Sequence, residues 1–311
     1  MRQYFHLYLR GNYQQEIIFD WIDYVNFWNR IWLAAQACDV VILAIELMDN
    51  HFHIIIMIAS PEDEAGKRVS AFMHYLRMSV SYYYNRRYKV SGMLGCRRFG
   101  RAQIKNPRDD GGADLRDAIC YTSRNVLHHG IKEDFWKWPW STVRIPFRIV
   151  PPSYTYSFNN APENILNQYL PYPNKLPDGW ALTAKGIVIP SSSVYGLDTI
   201  EQLFVTKANY ISCMSNRTRR ETQGEDNESR LGRKPSGTRK RHPATPDTEI
   251  SAWLERKLGH PVIKANIEQK LSILKDLRSQ FPKASIRQFS RILAIPSSNI
   301  SYRLKKSCTL S

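Results

Sequence analysis

Two histidines, His51 and His53, stand one residue apart in the otherwise largely apolar stretch LMDNHFHIIIMI, residues 47–58. Alternate residues of a β-strand point to the same face, so both imidazoles would project in one direction, about 6–7 Å apart at the backbone. Two parallel imidazoles are a start on a divalent metal site. The alternative is a pair of core histidines in a buried strand, and the HxH pattern alone does not decide between the two.

Positive charge is unevenly placed along the chain of 311 residues, whose net charge is +16. Residues 216–311 hold 21 Lys and Arg against 9 Asp and Glu, and residues 65–108 hold eleven basic residues and no acidic one. Tyrosines lie among the latter, which suits a nucleic-acid strand because cations meet phosphates and rings stack on exposed bases. The alternative is a solvated basic helix whose tyrosines lie in the core.

Composition argues against several other classes of protein. The five cysteines form no CxxC pair, so neither a disulfide framework nor a zinc knuckle is indicated. No apolar stretch approaches the length of a membrane span, and the first residues lack the apolar core of a signal peptide. We therefore expect a cytoplasmic protein with no membrane contact.

The hydrophobic periodicity indicates how these residues would be positioned. It predicts strand, helix, strand, strand, helix, strand and a further helix over residues 3–11, 16–39, 40–48, 51–59, 65–88, 97–104 and 113–131. This order is the split βαβ arrangement of a ferredoxin-like fold, an α+β class. Its antiparallel sheet would carry helices on one face and leave the other face for a site.

Changes in composition divide the chain into four parts. We predict a first domain over residues 1–140, a Pro- and aromatic-rich arm with a small appendage over 141–215, a basic disordered linker over 216–248 and a helical domain over 249–311.

The end of the helical domain has a helix-turn-helix layout. Ser290 would lie where two helices touch, Ala294 at the turn and Ile300 in the core of the second helix. A major groove would then face Ser297, Ser298, Asn299, Ser301, Tyr302 and Arg303. A plain helical hairpin is the alternative.

Five stretches occur in the order seen in one family: RGN after the first strand, IFDWIDYVNF, LMDNHFHIII, YYYNRRYKVSG and YTSRNVLHHGI. On these motifs, residues 4–131 resemble the REP-associated tyrosine transposases, which are single-tyrosine HUH endonucleases. The resemblance implies a Mg²⁺- or Mn²⁺-dependent nuclease that cuts single-stranded DNA. It implies His51 and His53 as metal ligands and Tyr121 as the nucleophile, and it places Asn125 at a polar position of the family one turn later. It leaves open whether the protein is a monomer or a homodimer.

The residue types support this chemistry on their own terms. Tyr121 and Asn125 lie four residues apart on a predicted helix, so they share a face. If that helix covers the two histidines, Asn125 completes a neutral three-ligand set that leaves the full charge of a dication for the phosphate. Attack by Tyr121 would leave a 5′-phosphotyrosine, which another 3′-OH could rejoin beside a DNA hairpin. Taken alone, Tyr121 could equally be a core tyrosine, since the chain holds seventeen.

The candidate contacts to hairpin DNA are basic residues of the first domain: Arg10, Lys67, Arg68, Arg77, Arg86, Arg87, Arg97, Arg98, Arg101 and Lys105. Ser298, Asn299, Tyr302 and Arg303 of the tail are candidate contacts to duplex DNA. A competing hypothesis is a non-catalytic, sequence-specific DNA-binding regulator that acts through residues 216–311. A metal-dependent hydrolase of small substrates has less support, because the usual third His, Asp or Glu ligand is missing.

Overall fold

The structure is a computed structural model of the chain. It describes residues 1–11, 16–95, 98–128, 134–148, 155–157, 161–171, 176–222, 245, 247–295, 299–301 and 303–304. The chain forms two compact units, of which the first comprises residues 1–80 and 95–233 and the second comprises residues 81–94 and 234–311. None of the helices in the described ranges combines the length and apolar character that a membrane span requires.

The first unit is built on a four-stranded sheet. Its elements are β1 (Arg2–Arg10), α1 (Trp21–Ala37), β2 (Val41–Leu47), β3 (His51–Ala59), α2 (Glu62–Tyr88), of which residues 62–80 belong to this unit, and β4 (Gly100–Ile104). The strands lie in the order β2-β3-β1-β4 and every neighbouring pair is antiparallel. The predicted α+β class with a split βαβ sheet is thus confirmed.

Burial on both faces explains why β3 is a central strand. All its residues except Ala59 are buried, although they alternate between the two faces. On one face Phe52 contacts Phe27 of α1, with ring centroids 5.5 Å apart. Helix α1 begins at a cap where Asp20 accepts a hydrogen bond from the backbone N–H of Asp23.

The other face of the sheet carries a helix as well. After the short α3 (Pro107–Asp110), helix α4 (Ala113–His128) packs against β2, β3 and β4. Two glycines in the left-handed region join α3 to α4, and a Cβ at the second, Gly112, would lie 2.5 Å from a side-chain carbon of Leu203. A side chain at position 112 would therefore collide with Leu203 at the start of α4.

Residues beyond α4 close the exposed edge of β2. The backbone N–H of Leu47 donates to the carbonyl of Trp140 at 2.9 Å, and that of Thr142 donates to the carbonyl of Ile45 at 3.1 Å. Farther along the strand, the N–H of Gly196 donates to Ile42 at 2.9 Å. The aromatic arm therefore extends the sheet at an edge that would otherwise expose unpaired backbone groups.

The rest of the first unit is small elements. They are β5 (Thr155–Ser157), α5 (Glu163–Tyr169), β6 (Ala181–Thr183), β7 (Val188–Ile189), α6 (Leu197–Phe204), α7 (Lys207–Ser215) and α8 (Arg219–Thr222). Helix α8 lies in the segment that was predicted to begin a disordered linker. Residues 216–222 are ordered instead, because their charged side chains pair with α4 as described below. Residues 223–244 and 246 of the predicted linker lie outside the described residues.

The second unit has a helical core. It contains α9 (Asp247–Leu258), α10 (Ile267–Ser272), α11 (Leu274–Gln280) and α12 (Ile286–Leu293). Helices α10 and α11 are separated at Ile273, which follows α10 with φ of −82° and ψ of −7°. Buried aliphatic and aromatic side chains from these helices share one cluster that includes Leu254, Leu277 and Phe289.

The residues around the predicted turn agree in part with a helix-turn-helix. Ala294 follows α12 with φ of 53° and ψ of 41°, and the hydroxyl of Ser290 donates to the carbonyl of Ile295 at 2.6 Å. Residues 299–301 and 303–304 are helical, and Ile300 is fully buried. The helical C-terminal part is therefore confirmed, whereas the helix-turn-helix stays a prediction because residues 296–298 and 302 lie outside the described residues.

Lys270 of α10 generates a prediction about stability. Its side chain is 1% exposed, and burial lowers its pKa to about 8. The unfolded chain binds this proton up to about pH 10.4, so the free energy of unfolding should rise between about pH 8 and 10.4, by about 3 kcal/mol. Lys270→Met should raise the free energy of unfolding at pH 7 and abolish its rise between about pH 8 and 10.4. Urea unfolding at pH 7 and at about pH 10.4 measures both effects.

Lys275→Met is the matched control, because Lys275 is exposed on the next helix. It should leave both the stability at pH 7 and the pH dependence unchanged. Equal effects of the two substitutions would contradict the buried-charge explanation.

Candidate active site

The two histidines of β3 point to the face that α4 covers. His53 lies opposite Tyr8 of β1 and Glu46 of β2, and His51 lies opposite Arg10. Residues directly opposite each other in antiparallel strands share a face, so these side chains form one polar strip across the sheet. The His51 and His53 rings have centroids 5.3 Å apart, and both residues are buried.

Helix α4 brings the predicted nucleophile and the predicted third ligand to this strip. The ring centroid of Tyr121 lies 6.2 Å from that of His53. Oδ1 of Asn125 lies 3.1 Å from Nε2 of His51. The structure therefore brings Tyr121, Asn125, His51 and His53 together within one chain. This is the arrangement expected if the helix that carries Tyr121 covers the two histidines.

The hydrogen bonds of His51 bear on whether a cation fits here. Its Nδ1 is hydrogen-bonded to the side-chain oxygen of Asn50, and its Nε2 faces Oδ1 of Asn125. In the tautomer that carries its proton on Nδ1, Nε2 would offer a lone pair beside the amide oxygen of Asn125. These two atoms would then be ligands for one divalent cation. The residues therefore fit a divalent metal held by His51, His53 and Asn125.

Acidic side chains do not complete this set. Among the described residues, no three His, Cys, Asp or Glu side chains converge as a metal-binding group. Glu46 shares the face of His53 and is fully buried. Burial raises the pKa of Glu46 well above its usual range, an effect that Ser141 offsets only in part. The raised pKa makes Glu46 a poorer metal ligand than an ordinary carboxylate, so a metal here would depend on the amide of Asn125.

His6 of β1 belongs to the site and was missed by the sequence analysis. Its Nε2 lies 2.8 Å from Nδ1 of His53, and its ring stands edge-on to that of Tyr121 with centroids 5.9 Å apart. With Nδ1 of His53 engaged by His6, the opposite nitrogen, Nε2, is the atom that His53 would turn toward a metal. The alternation of His6, Tyr8 and Arg10 along β1 was the available signal, but only the register between strands connects it to β3.

A glycine makes room for Tyr8 in this strip. Gly100 of β4 lies opposite Tyr8, and a Cβ at this position would lie 2.0 Å from the Tyr8 ring. The Tyr8 ring stacks on that of His53 with centroids 5.7 Å apart. The glycine after Phe99 therefore lets Tyr8 pack beside the histidine, which is a role that the sequence pattern does not reveal.

The residues surround an open cleft of about 260 Å³. Its lining includes Tyr121, His53, His6 and Tyr8, and it is completed by Ala102, Gln103, Lys105, Asp114, Arg219 and Arg220. Among the basic residues predicted to contact DNA, Lys105 lines this cleft.

The other predicted DNA contacts are distributed over the surface. Lys67, Arg86, Arg98 and Arg101 are exposed, whereas Arg10, Arg68, Arg77 and Arg87 are half-buried, and Arg68 is paired with Asp39 at 2.9 Å. In the tail, Asn299 and Arg303 are exposed. Arg97, Ser298 and Tyr302 lie outside the described residues.

Tyr121 stands in the middle of a polar stripe on α4 whose two ends bind α8. Arg220 pairs with Asp114 at 2.7 Å and with Asp117 at 2.6 Å. Glu221 pairs with Arg124 at 3.1 Å and with His128 at 3.0 Å. Successive members of the stripe are three or four residues apart, so they lie on one face of the helix. We call these four ion pairs the α8 latch.

The Glu221 half of the α8 latch generates a prediction. Burial raises the pKa of Glu221, but the backbone N–H of Thr218 and the charges of Arg124 and His128 outweigh it, and the pKa is lowered overall. Its contribution to stability is therefore present above the usual pKa, about 4.3, and is lost as the pH falls through the lowered value. At pH 7, Glu221→Gln should speed amide hydrogen exchange over residues 218–222 by about tenfold.

Glu163→Gln on the exposed surface of α5 is the control for this measurement. It should leave exchange over residues 218–222 at the rate of the unsubstituted protein. Unchanged exchange in Glu221→Gln as well would show that these ion pairs do not hold α8.

Comparison with known proteins finds a match for the first part of the chain. Residues 1–99, with His51 and His53 among them, match the family model described as "Transposase IS200 like". A solved structure titled "Structure of the REP associates tyrosine transposase bound to a REP hairpin" is similar at 19% sequence identity over 45% of this chain and 75% of that chain, with a TM-score of 0.33. A search of curated proteins found no match. The resemblance seen in the sequence is thus confirmed for residues 1–99, which are similar to the IS200-like transposases.

Proposed function

We propose that this protein is a transposase that cuts and rejoins single-stranded DNA beside a hairpin, through a 5′-phosphotyrosine on Tyr121 and with Mg²⁺ or Mn²⁺. The observation that carries the proposal is the position of α4, which places Tyr121 beside His53 while Asn125 contacts His51. The match of residues 1–99 to IS200-like transposases supports the same class of DNA chemistry.

Cutting would exchange one phosphate ester for another. The phenol oxygen of Tyr121 forms a bond to phosphorus, the bond from phosphorus to the 3′ oxygen breaks, and the leaving oxygen takes up a proton to become a 3′-OH. Rejoining is the reverse attack, by the same or another 3′-OH. Because the energy of the ester is retained on the tyrosine, no further cofactor is needed to join the strand.

Several side chains of this chain would serve the proton transfer and the charge. A phenol is protonated at neutral pH, so its proton must leave during attack. The rings of His6 and His128 flank Tyr121 at centroid distances of 5.9 and 6.0 Å and are the candidate acceptors. His51, His53 and Asn125 would hold the metal, which supplies positive charge to the phosphate oxygens.

We also propose that the helical second unit binds duplex DNA. Its supporting observations are the left-handed turn at Ala294, the buried Ile300 and the exposure of Asn299 and Arg303. Such binding would tether the nuclease near its target and raise its local concentration. A regulator that lacks catalysis would use the same surface, so the test of Tyr121 below also separates these two functions.

The proposed nuclease predicts a covalent adduct. With Mg²⁺ or Mn²⁺ and an oligonucleotide carrying an inverted repeat from the DNA that flanks the gene, the protein should form a protein–DNA adduct that is visible on a denaturing gel. Tyr121→Phe should abolish it because the attacking oxygen is gone. His51→Ala and His53→Ala should abolish it too, while hairpin binding remains largely intact.

Tyr75→Phe is the matched control, because it removes the hydroxyl of an exposed tyrosine on α2 and keeps the ring. It should form the adduct at the normal rate. An adduct that survives Tyr121→Phe would refute the proposed nucleophile, and loss of binding in both histidine variants would indicate a structural role for the pair.

The second prediction concerns duplex binding. Replacing both Asn299 and Arg303 by alanine should weaken binding of the full chain to duplex DNA. The loss of one cation should also reduce the slope of log K against log salt by about one unit, as measured by fluorescence anisotropy. Adduct formation on the short oligonucleotide should be unchanged, and a parallel loss of both would contradict a separate duplex-binding surface.

A further inference from the structure

The short helix α8 contributes two guanidinium groups to the cleft that contains Tyr121. Arg219 and Arg220 line it together with His6 and His53. They come from a segment that lies well beyond residues 1–99, the part that matches the transposase family. Three cations, these two arginines and Lys105, therefore line the cleft against a single carboxylate, that of Asp114.

The two arginines are held differently. The side chain of Arg220 is 14% exposed and lies between Asp114 and Asp117, at 2.7 and 2.6 Å. These are the lengths of strong charge-assisted hydrogen bonds. Both Asp114 and Asp117 are on α4, so Arg220 fastens α8 to the helix that carries Tyr121.

Arg219 is available to a ligand in a way that Arg220 is not. Its side chain is 61% exposed, and its guanidinium contacts Asp114 at 3.3 Å, which is longer than the usual charged hydrogen bond. Its backbone is fixed, because its N–H donates to Asp117 at 2.6 Å. A guanidinium has five N–H donors, so Arg219 can keep this contact and still offer a planar fork to another anion.

We propose that Arg219 binds the non-bridging oxygens of the DNA phosphate that Tyr121 attacks, and that Arg220 is the positioning residue that fixes Arg219 there. The proposal rests on the proposed function for the identity of the strand. Attack by Tyr121 would add negative charge to the phosphate oxygens in the transition state, and a guanidinium in the cleft would stabilise that charge alongside the metal. Residues 216–222 are then part of the nuclease site and not of a linker.

Chemical modification tests the phosphate site without requiring any cleavage. Phenylglyoxal reacts with accessible guanidinium groups, and its rate at each arginine of the full chain can be followed by mass spectrometry. Inorganic phosphate or a single-stranded oligothymidylate should slow modification of Arg219, compared with sodium chloride at the same ionic strength. Arg217, exposed in the same segment and outside the cleft lining, should be unaffected. Equal rates at Arg219 and Arg217 under all conditions would overturn the proposal.

Variants test the same residue during cleavage. Arg219→Ala should lower kcat/KM for adduct formation by about 10- to 100-fold, which is the range for one hydrogen bond to a charged group. Arg219→Lys should recover part of this loss, whereas Arg217→Ala should react normally. Normal kcat/KM in Arg219→Ala would overturn the inference while leaving Tyr121 as nucleophile. Absence of the adduct in every form would instead refute the nuclease, and the modification experiment would still decide whether phosphate binds.

Discussion

The site depends on one constraint: imidazole side chains are buried on a sheet face that a helix covers, and each must find a polar partner. Burying a polar group without a hydrogen bond is costly. Asn50 meets this need at Nδ1 of His51, and His6 meets it for His53, at 2.8 Å. Asn125 of α4 contacts the other ring nitrogen of His51 at 3.1 Å, and this contact fixes the rotation of the helix. Tyr121, one turn earlier, is thereby turned toward His53.

The same reasoning explains how β2 can carry a carboxyl group in this strip. Glu46 lies at the sheet edge, and residues 140–142 of the arm pair with the strand there. Their backbone groups complete the edge, and Ser141 lies directly opposite Glu46. The arm therefore excludes water from one end of the strip. Without it, Glu46 would be solvated and its charge would change the electrostatics beside His53.

The sequence predicted those parts of the site that depend on local spacing. The pair His51 and His53 follows from the period of a strand, and the pair Tyr121 and Asn125 follows from the period of a helix. His6 could not be assigned in this way, because its contact with His53 spans 47 residues and depends on the register of β1 against β3. The sheet order followed from the element order, whereas the break at Ile273 is a local backbone change without a proline or glycine to mark it.

The segment around α8 shows why its composition gave a wrong prediction of disorder for residues 216–222. Arg219, Arg220 and Glu221 are polar residues in a stretch with few aliphatic side chains, which is typical of a disordered linker. Their partners are on α4, about a hundred residues earlier, where two carboxylates precede Tyr121 and Arg124 and His128 follow it. Ion pairs of this kind contribute more to position than to net stability, because desolvation offsets much of their attraction. Removing one member is nevertheless costly, since its partner stays partly buried without a counter-charge. The α8 latch therefore has one arrangement that satisfies all its charges, and that arrangement holds Arg219 at the cleft that contains the tyrosine.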